Sequence, residues 1–376
     1  MKSKISIIFS FVTFILVTLM ASCNSNSDEL NVDQNILQEQ DNGIVLLNSG
    51  ASVEYKDGRY FWENDIILSE TQLKVLDQTG DIVEKFPEIP DNSTITLTSP
   101  QTGRLHIPNE AKTRSTAIYP TPYNLWAMVR FVYAPNGFAN ETQLNHNLKH
   151  RIIEALNYWQ THTNIRFYNA TGQPTTDPDW GFAYPYVFIC NGDNNASSVG
   201  RIDGKQLLTL RWDCSVGNII HEIGHAIGLL HEHTRYDRDD HIIVNMNNIQ
   251  PDRRGNFTKR TSNYHCIGSI DFESIMMYPS FTGFEIDPAI PSMRKRSDNS
   301  TFEAQRTHLT DLDRRFPNTF YLPYIARRDV YRELDNVVYD QNNRQLTPSE
   351  RLQLQSQLNN GNPTPPADGR IPNSFE

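Results

Sequence analysis

Apolar residues recur at helical intervals in two stretches of this chain. Over 142–160, Leu144, Leu148, Ile152, Ala155, Leu156 and Trp159 mark one face of a long helix that Thr142 can cap. Over 217–230, Ile219, Ile220, Ile223, Ala226, Ile227 and Leu230 mark a second. Runs rich in β-branched and aromatic residues predict strands at 128–133, 165–168, 184–190 and 206–212. Strands, one long helix, more strands and a second helix make an α+β plan. Between 24 and 114 the pattern is weak, with strand-like fragments only at 43–47 and 94–97. Polar, irregular runs at 241–266 and 293–306 read as loops, and 330–358 as one or two helices. The end, 359–376, is rich in Pro, Gly and Asn and reads as disordered.

The second helix carries the chemistry. His221 and His225 are four residues apart, so they share a helix face and can grip one metal ion. Glu222 is rotated from them by about 100°, close enough to hold a water on that metal. Gly228 can take positive φ at no steric cost, which ends the helix and swings His231 back as a third ligand. Three neutral imidazoles plus a water describe an open catalytic zinc site, with Glu222 as general base for attack on a polarised carbonyl. The bland reading is two surface histidines and a third in the next loop; the added G-x-x-H spacing disfavours it.

His221 to Asp239, HEIGHAIGLLHEHTRYDRD, resembles the signature of the astacins, a metzincin family of zinc endopeptidases. Ser274-Ile275-Met276-Met277-Tyr278 resembles that family's Met-turn. By this resemblance Met276 is the apolar floor beneath the zinc. Tyr278 is a mobile extra ligand that turns to stabilise the oxyanion. Met277 stands where many members carry His. The resemblance runs roughly from Ile118 to Tyr321. It implies a two-lobed metzincin fold with a mixed, twisted sheet, whose edge strand holds an extended peptide antiparallel; that edge falls near Ser198-Val199-Gly200-Arg201-Ile202.

Further expectations rest on the same resemblance. Trp62-Glu63-Asn64-Asp65 is similar to the aromatic-x-Gly-Asp motif of astacin propeptides, in which Asp65 would bind the zinc and displace its water. Asn64 replaces the glycine, and Asn tolerates left-handed backbone better than most residues. Lys112-Thr113-Arg114-Ser115 offers a basic cleavage site. A mature start at Ser115 or Thr116 would bury its amino terminus against Glu232; the plain reading pairs Glu232 with a neighbouring arginine. Cys190 and Cys214 match a family disulfide in relative position, leaving Cys266 as a buried free thiol. Thr310 caps the closing helix. Gln305-Arg306 resembles a pair whose arginine lines the pocket after the cut bond and favours Asp or Glu there; a plain surface arginine is the other reading.

Composition narrows the class. The chain has 376 residues, 38% of them hydrophobic, and a net charge of −10, which argues against nucleic acid as a partner. Lys2 and Lys4 precede an apolar run to Ala21, as in an export signal. Leu19-Met20-Ala21-Ser22-Cys23 resembles a bacterial lipobox with Cys23 as the lipidated residue. The expected layout is a signal at 1–22, tether and propeptide at 23–114, a catalytic domain at 115–321 and a tail at 322–376. The expected protein is an exported zinc endopeptidase made as a zymogen, acting on proteins or peptides. It would be monomeric and anchored to the cell envelope or outer membrane through Cys23, or secreted. A zinc-binding interaction protein without catalysis, or a zinc enzyme acting on non-peptide bonds, are the rival readings.

Overall fold

The computed structural model describes residues 43–82, 96–99, 103–106, 116–118, 120, 124–134, 143–260 and 264–376. The export segment, Cys23, the tether, the basic site at 112–115 and the cap at Thr142 lie outside them.

The first described elements arise where the sequence pattern is weakest. Strands β1 (Gly43–Leu46), β2 (Ser52–Lys56), β3 (Arg59–Trp62) and β4 (Ile66–Ile67) precede helix α1 (Glu70–Thr79). Asp57 and Gly58 join β2 to β3 with φ of +51° and +76°, the left-handed pair that a tight hairpin turn requires. Ser69 and Gln72 form a capping box on α1, and Gly80 closes it at φ +78°. A hairpin of β5 (Thr96–Ser99) and β6 (Gly103–His106) and the short β7 (Ala117–Ile118) follow.

The larger part contains β8 (Val129–Tyr133), α2 (Gln143–His162), β9 (Phe167–Asn169), β10 (Tyr186–Asn191), β11 (Ala196–Ser197), β12 (Lys205–Leu210) and α3 (Val216–Ala226). Beyond them come β13 (Ile242–Val244), β14 (Tyr264–His265), β15 (Met293–Lys295), α4 (Asp311–Phe320) and α5 (Pro348–Leu358). One mixed sheet runs in the order β1-β2-β3-β4-β11-β12-β10-β8-β9. Strands β9, β8, β10 and β12 are mutually parallel, β11 is antiparallel to β12, and β4 lies parallel to β11. The edge expected near 198–202 is thus β11, two residues earlier, and the N-terminal hairpin covers it.

Two of the hydrophobic cores among the described residues flank the site. In the first, Val187 and Ile189 of β10 and Leu208 of β12 pack with Ile152, Leu156 and Trp159 of α2 and Ile219, Ile220 and Ile223 of α3. The second joins Ile242, Ile249, Phe257, Met277, Tyr278 and Met293. Met276 belongs to the first and Met277 to the second, so the Met-turn spans both. This is the α+β, two-lobed arrangement expected.

Two expectations need correction. Cys190 and Cys214 are free thiols, as is Cys266. Side chains alternate along a strand. Val187 and Ile189 point into the first core beside Cys214, so Cys190 points to the other face, toward Arg59 and Lys205. Cys214 belongs to the first core and Cys190 does not. The end of the tail, expected to be disordered, is laid along the domain. Phe375 packs edge-on to Phe131 and Phe167 with centroids at 5.8 and 6.4 Å, and Tyr133 donates to its carbonyl at 3.0 Å. Arg327 and Arg370 both pair with the buried carboxylate of Glu333, tying the start of the tail to its end. Asn373 and Ser374 add hydrogen bonds to Asn169 and Phe167 O, contacts that composition does not reveal.

Candidate metal centre and active site

Ser215 caps α3 by accepting from Asn218 N–H, and the helix stops at Ala226 although the apolar spacing continues to Leu230. Gly228 explains the stop. Its φ is +109°, and a β-carbon there would meet Ile118 at 3.0 Å and Phe316 at 3.4 Å. The reversal places Leu229 N–H on Gly224 O and Leu230 N–H on Thr116 O, and it delivers His231 to the face carrying His221 and His225. We expect Gly228→Ala to lower the stability of the full chain by about 2–4 kcal/mol, from left-handed strain plus overpacking, read as a drop in thermal midpoint. An unchanged midpoint would contradict this account of the turn.

The three imidazoles converge. Ligand atoms of His221, His225, His231 and Asp65 all lie within 4.8 Å of one another, and all four residues are buried. Each ring is aimed by its other nitrogen: His221 Nδ1 to Ile275 O at 2.8 Å, His225 Nδ1 to Leu229 O at 2.9 Å, His231 Nδ1 to Glu63 Oε2 at 3.0 Å. With the proton on Nδ1, every Nε2 turns a lone pair inward. Those three Nε2 atoms, Asp65 Oδ1 and Glu222 Oε2 are buried with no hydrogen-bond partner. Orphaned groups cost about 1–3 kcal/mol each, so a cluster of five demands an occupant. A cation that accepts lone pairs from nitrogen and oxygen fits, and three imidazoles with a carboxylate suit zinc.

The electrostatics agree for His221 and His225, whereas His231 holds a proton that a metal would displace from Nε2. Burial lowers His221 to about 4 and holds His225 well below the usual imidazole value, keeping both neutral as ligands must be. Burial also pushes His231 down, but the charges of Asp65 and Glu63 outweigh it and hold it near 9. Burial, then the charge of Asp65, raises Glu222 well above the carboxylate range, with Arg306 opposing.

The Met-turn supports the site from below. Met276 is buried, and Gly224 makes room for it: a β-carbon there would meet Met276 Sδ at 2.9 Å. Ile275 O orients His221, while Met276 O accepts from Glu232 N–H at 3.0 Å. Asp313 at the start of α4 accepts from Ser274 Oγ at 2.6 Å and Ile275 N at 3.0 Å, so the capped closing helix fixes the turn. Tyr278 stacks on His233 at 4.2 Å, and its hydroxyl donates to Glu63 O at 2.7 Å. Arg306 lies half-buried, with its Nη1 donating to Gln305 O at 2.8 Å and Met277 O at 3.3 Å; its charge reaches Asp65, Glu222 and Tyr278.

Glu232 pairs with the neighbouring Arg235, as the plain reading has it, and its other oxygen meets the backbone amide of Thr116 in the uncut chain. Its Oε2 accepts from Thr116 N–H at 3.2 Å, while Oε1 takes Arg235 Nη1 and Asp271 N–H, each at 3.1 Å. Burial pushes Glu232 up to about 8, against the pull of Arg235 and Asp271 N–H. A carboxyl whose folded pKa is raised stabilises fully below its unfolded pKa and loses that contribution as pH climbs through the folded value. The thermal midpoint of the unprocessed chain will therefore carry a downward component between about pH 4.5 and about pH 8 that Glu232→Gln removes. A slope unaffected by the substitution would contradict the assignment.

The N-terminal hairpin fills the cleft. Ser197 N–H donates to Asp65 O at 2.9 Å, and Gln72 Nε2 reaches Val199 O at 3.2 Å. Asp65 Oδ1 stands 3.3 Å from His231 Nε2 and 3.8 Å from His225 Nε2; Oδ2 stands 3.5 Å from His221 Nε2. Asn64 takes φ +75°, a left-handed backbone that Asn tolerates better than most residues. Sequence reasoning passed over Glu63, which takes φ +50° and buries its carboxylate between His231 and Arg260. An acidic residue beside the motif was visible; its partner, 197 positions away, was not.

Such a centre, on a helix that breaks at glycine above a methionine turn, defines a metzincin-type metalloprotease scaffold. The chain belongs to the astacin family of peptidases, whose model matches residues 121–322. It is 38% identical over 142 residues to astacin-like metalloprotease toxin 2 of Loxosceles intermedia, covering 36% of this chain and 56% of that one. It is 30% identical over 237 residues to flavastacin of Elizabethkingia meningoseptica, covering 61% and 50%. The chain thus spans about half the length of these curated relatives. Among solved structures it resembles high choriolytic enzyme 1, a hatching enzyme zinc-protease of Oryzias latipes, at 25% identity and TM-score 0.43, covering 52% of this chain and 93% of that one.

Proposed function

We propose that this chain is a zinc endopeptidase held latent by its own N-terminal hairpin. The carrying observation is the set of inward, partnerless Nε2 atoms of His221, His225 and His231 facing Asp65 and Glu222. Zinc held by the three histidines supplies Lewis-acid polarisation of a carbonyl and acidification of a water. Glu222, buried with one carboxylate oxygen unpartnered, takes a proton from the attacking water and returns it to the leaving amine. Tyr278 donates its hydroxyl to the developing oxyanion once Glu63 no longer engages it. Strand β11 offers backbone hydrogen bonds to an extended peptide, and Arg306 favours an acidic side chain after the cut bond.

In the latent chain Asp65 occupies the position of the attacking water, and Glu63 O holds Tyr278. Cleavage near Lys112–Ser115 frees the edge, and the new amino terminus pairs with Glu232, where Thr116 N–H already sits. Export fits the signal-like segment at 1–22, with Cys23 as the anchor; among the described residues no helix is long and apolar enough to cross a membrane.

Treating the processed protein with a zinc chelator is expected to abolish cleavage of a quenched-fluorescent peptide, and equimolar zinc to restore it. Cleavage indifferent to the chelator would refute the reading.

A further inference from the structure

The Glu63 carboxylate is 1% exposed, and both its oxygens bond to the catalytic part of the chain: one to Arg260 Nη2, the other to His231 Nδ1 at 3.0 Å. Arg260 is equally enclosed, at 4% exposed. Its Cζ lies 3.7 Å over the Trp62 ring, and its Nε has no partner. Among the described residues Glu63 is the one carboxylate within ion-pair reach of it. Arg260 N–H is tied to Thr234 O at 2.7 Å, in the turn just after His231, so its backbone belongs to the metal centre and not to the hairpin. The charge of Glu63 also reaches Arg238, itself buried and paired with Asp239.

Activation therefore has a consequence beyond freeing the metal. Removing the hairpin takes away the one anion that neutralises Arg260 and the aromatic face beneath it in a single step. What stays is a guanidinium whose backbone is tied to Thr234 O, next to the Nδ1 of His231 that Glu63 also occupied. A planar guanidinium beside a second N–H donor is built for a carboxylate.

We propose that Arg260 forms a subsite for an acidic side chain of the substrate, and that Glu63 fills this subsite in the latent chain. The proposal rests on the peptidase reading above. It is distinct from the pocket of Arg306, whose charge reaches Glu222 and His221, whereas Arg260 reaches the site through the side of His231 turned from the metal. Two acidic preferences would then act on one peptide.

The test uses full-length chain, processed, with synthetic peptides of residues 60–66 carrying Glu or Gln at position 63. In the wild type the Glu peptide is expected to bind at least about tenfold tighter than the Gln peptide by calorimetry. Arg260→Gln should bring that ratio close to one, and Arg260→Lys should retain part of it, which excludes simple misfolding. Substrates with Glu or Gln at each position around the cut should show one preference that disappears in Arg260→Gln and survives Arg306→Gln. Equal binding of the two peptides to the wild type, no binding of either, or a ratio unchanged by Arg260→Gln would overturn the subsite. A binding ratio that behaves as expected in a protein that cuts no peptide would instead refute the peptidase reading while leaving the subsite in place.

Discussion

Replacing Glu222 with glutamine is expected to reduce peptide hydrolysis by the processed chain by about 10²–10⁴-fold, the range over which a positioned general base contributes. The substitution preserves size and removes only the ability to take a proton. Zinc content should not change, because the donors are His221, His225 and His231, each fixed by a partner other than Glu222. The thermal midpoint should change little, since the amide keeps the size of the carboxyl and leaves the three ligands and their partners in place. The measurement is kcat/KM on a quenched peptide beside metal analysis of the same sample. Loss of zinc together with activity would point to a structural role. Undiminished activity would remove Glu222 from the mechanism.

The second large effect concerns latency. Asp65→Ala in the unprocessed full chain is expected to raise its peptidase activity by about 10²-fold or more, because a tethered ligand gains that much from its effective concentration. Asp65 carries the carboxylate facing the three imidazoles, yet the hairpin stays attached through β4 and β11, Gln72 and the Glu63–Arg260 pair. Activity should therefore remain below that of processed protein, and processing should close the gap. An Asp65→Ala chain as silent as the parent would mean that edge coverage alone confers latency.

The legibility of this molecule follows range along the chain. The metal centre was readable because two of its ligands lie one helical turn apart and the third follows a glycine that must turn. The α4 cap at Thr310 was readable for the same reason: a capping box spans three residues. The N-terminal hairpin was less so, although Asp57-Gly58 and the Ser69–Gln72 box were local signals that could have located β2, β3 and α1. Its strands are two to five residues long and gain their apolar partners from β11 and β12, so Phe61, Ile67 and Ala196 make a core that no single stretch displays. Glu63 and Arg260 lie beyond any pattern argument, since each reads alone as a surface charge. The Cys190–Cys214 bridge was an expectation of relative position in the sequence; the alternation of β10 turns Cys190 away from the core that holds Cys214. The tail misled through composition, because Phe375 and polar contacts such as Arg370 to Glu333 and Asn373 to Phe167 O anchor a stretch that reads as polar.

The most direct measurement is hydrolysis of a quenched-fluorescent peptide by one sample of the zinc-loaded full chain. Rates are read before and after trypsin processing between 112 and 115, with trypsin inhibited afterwards and a chelated aliquot alongside. The account predicts a near-silent chain before processing, robust cleavage after it, and none with the chelator. Folded, zinc-loaded, correctly processed protein that cuts no peptide would contradict it.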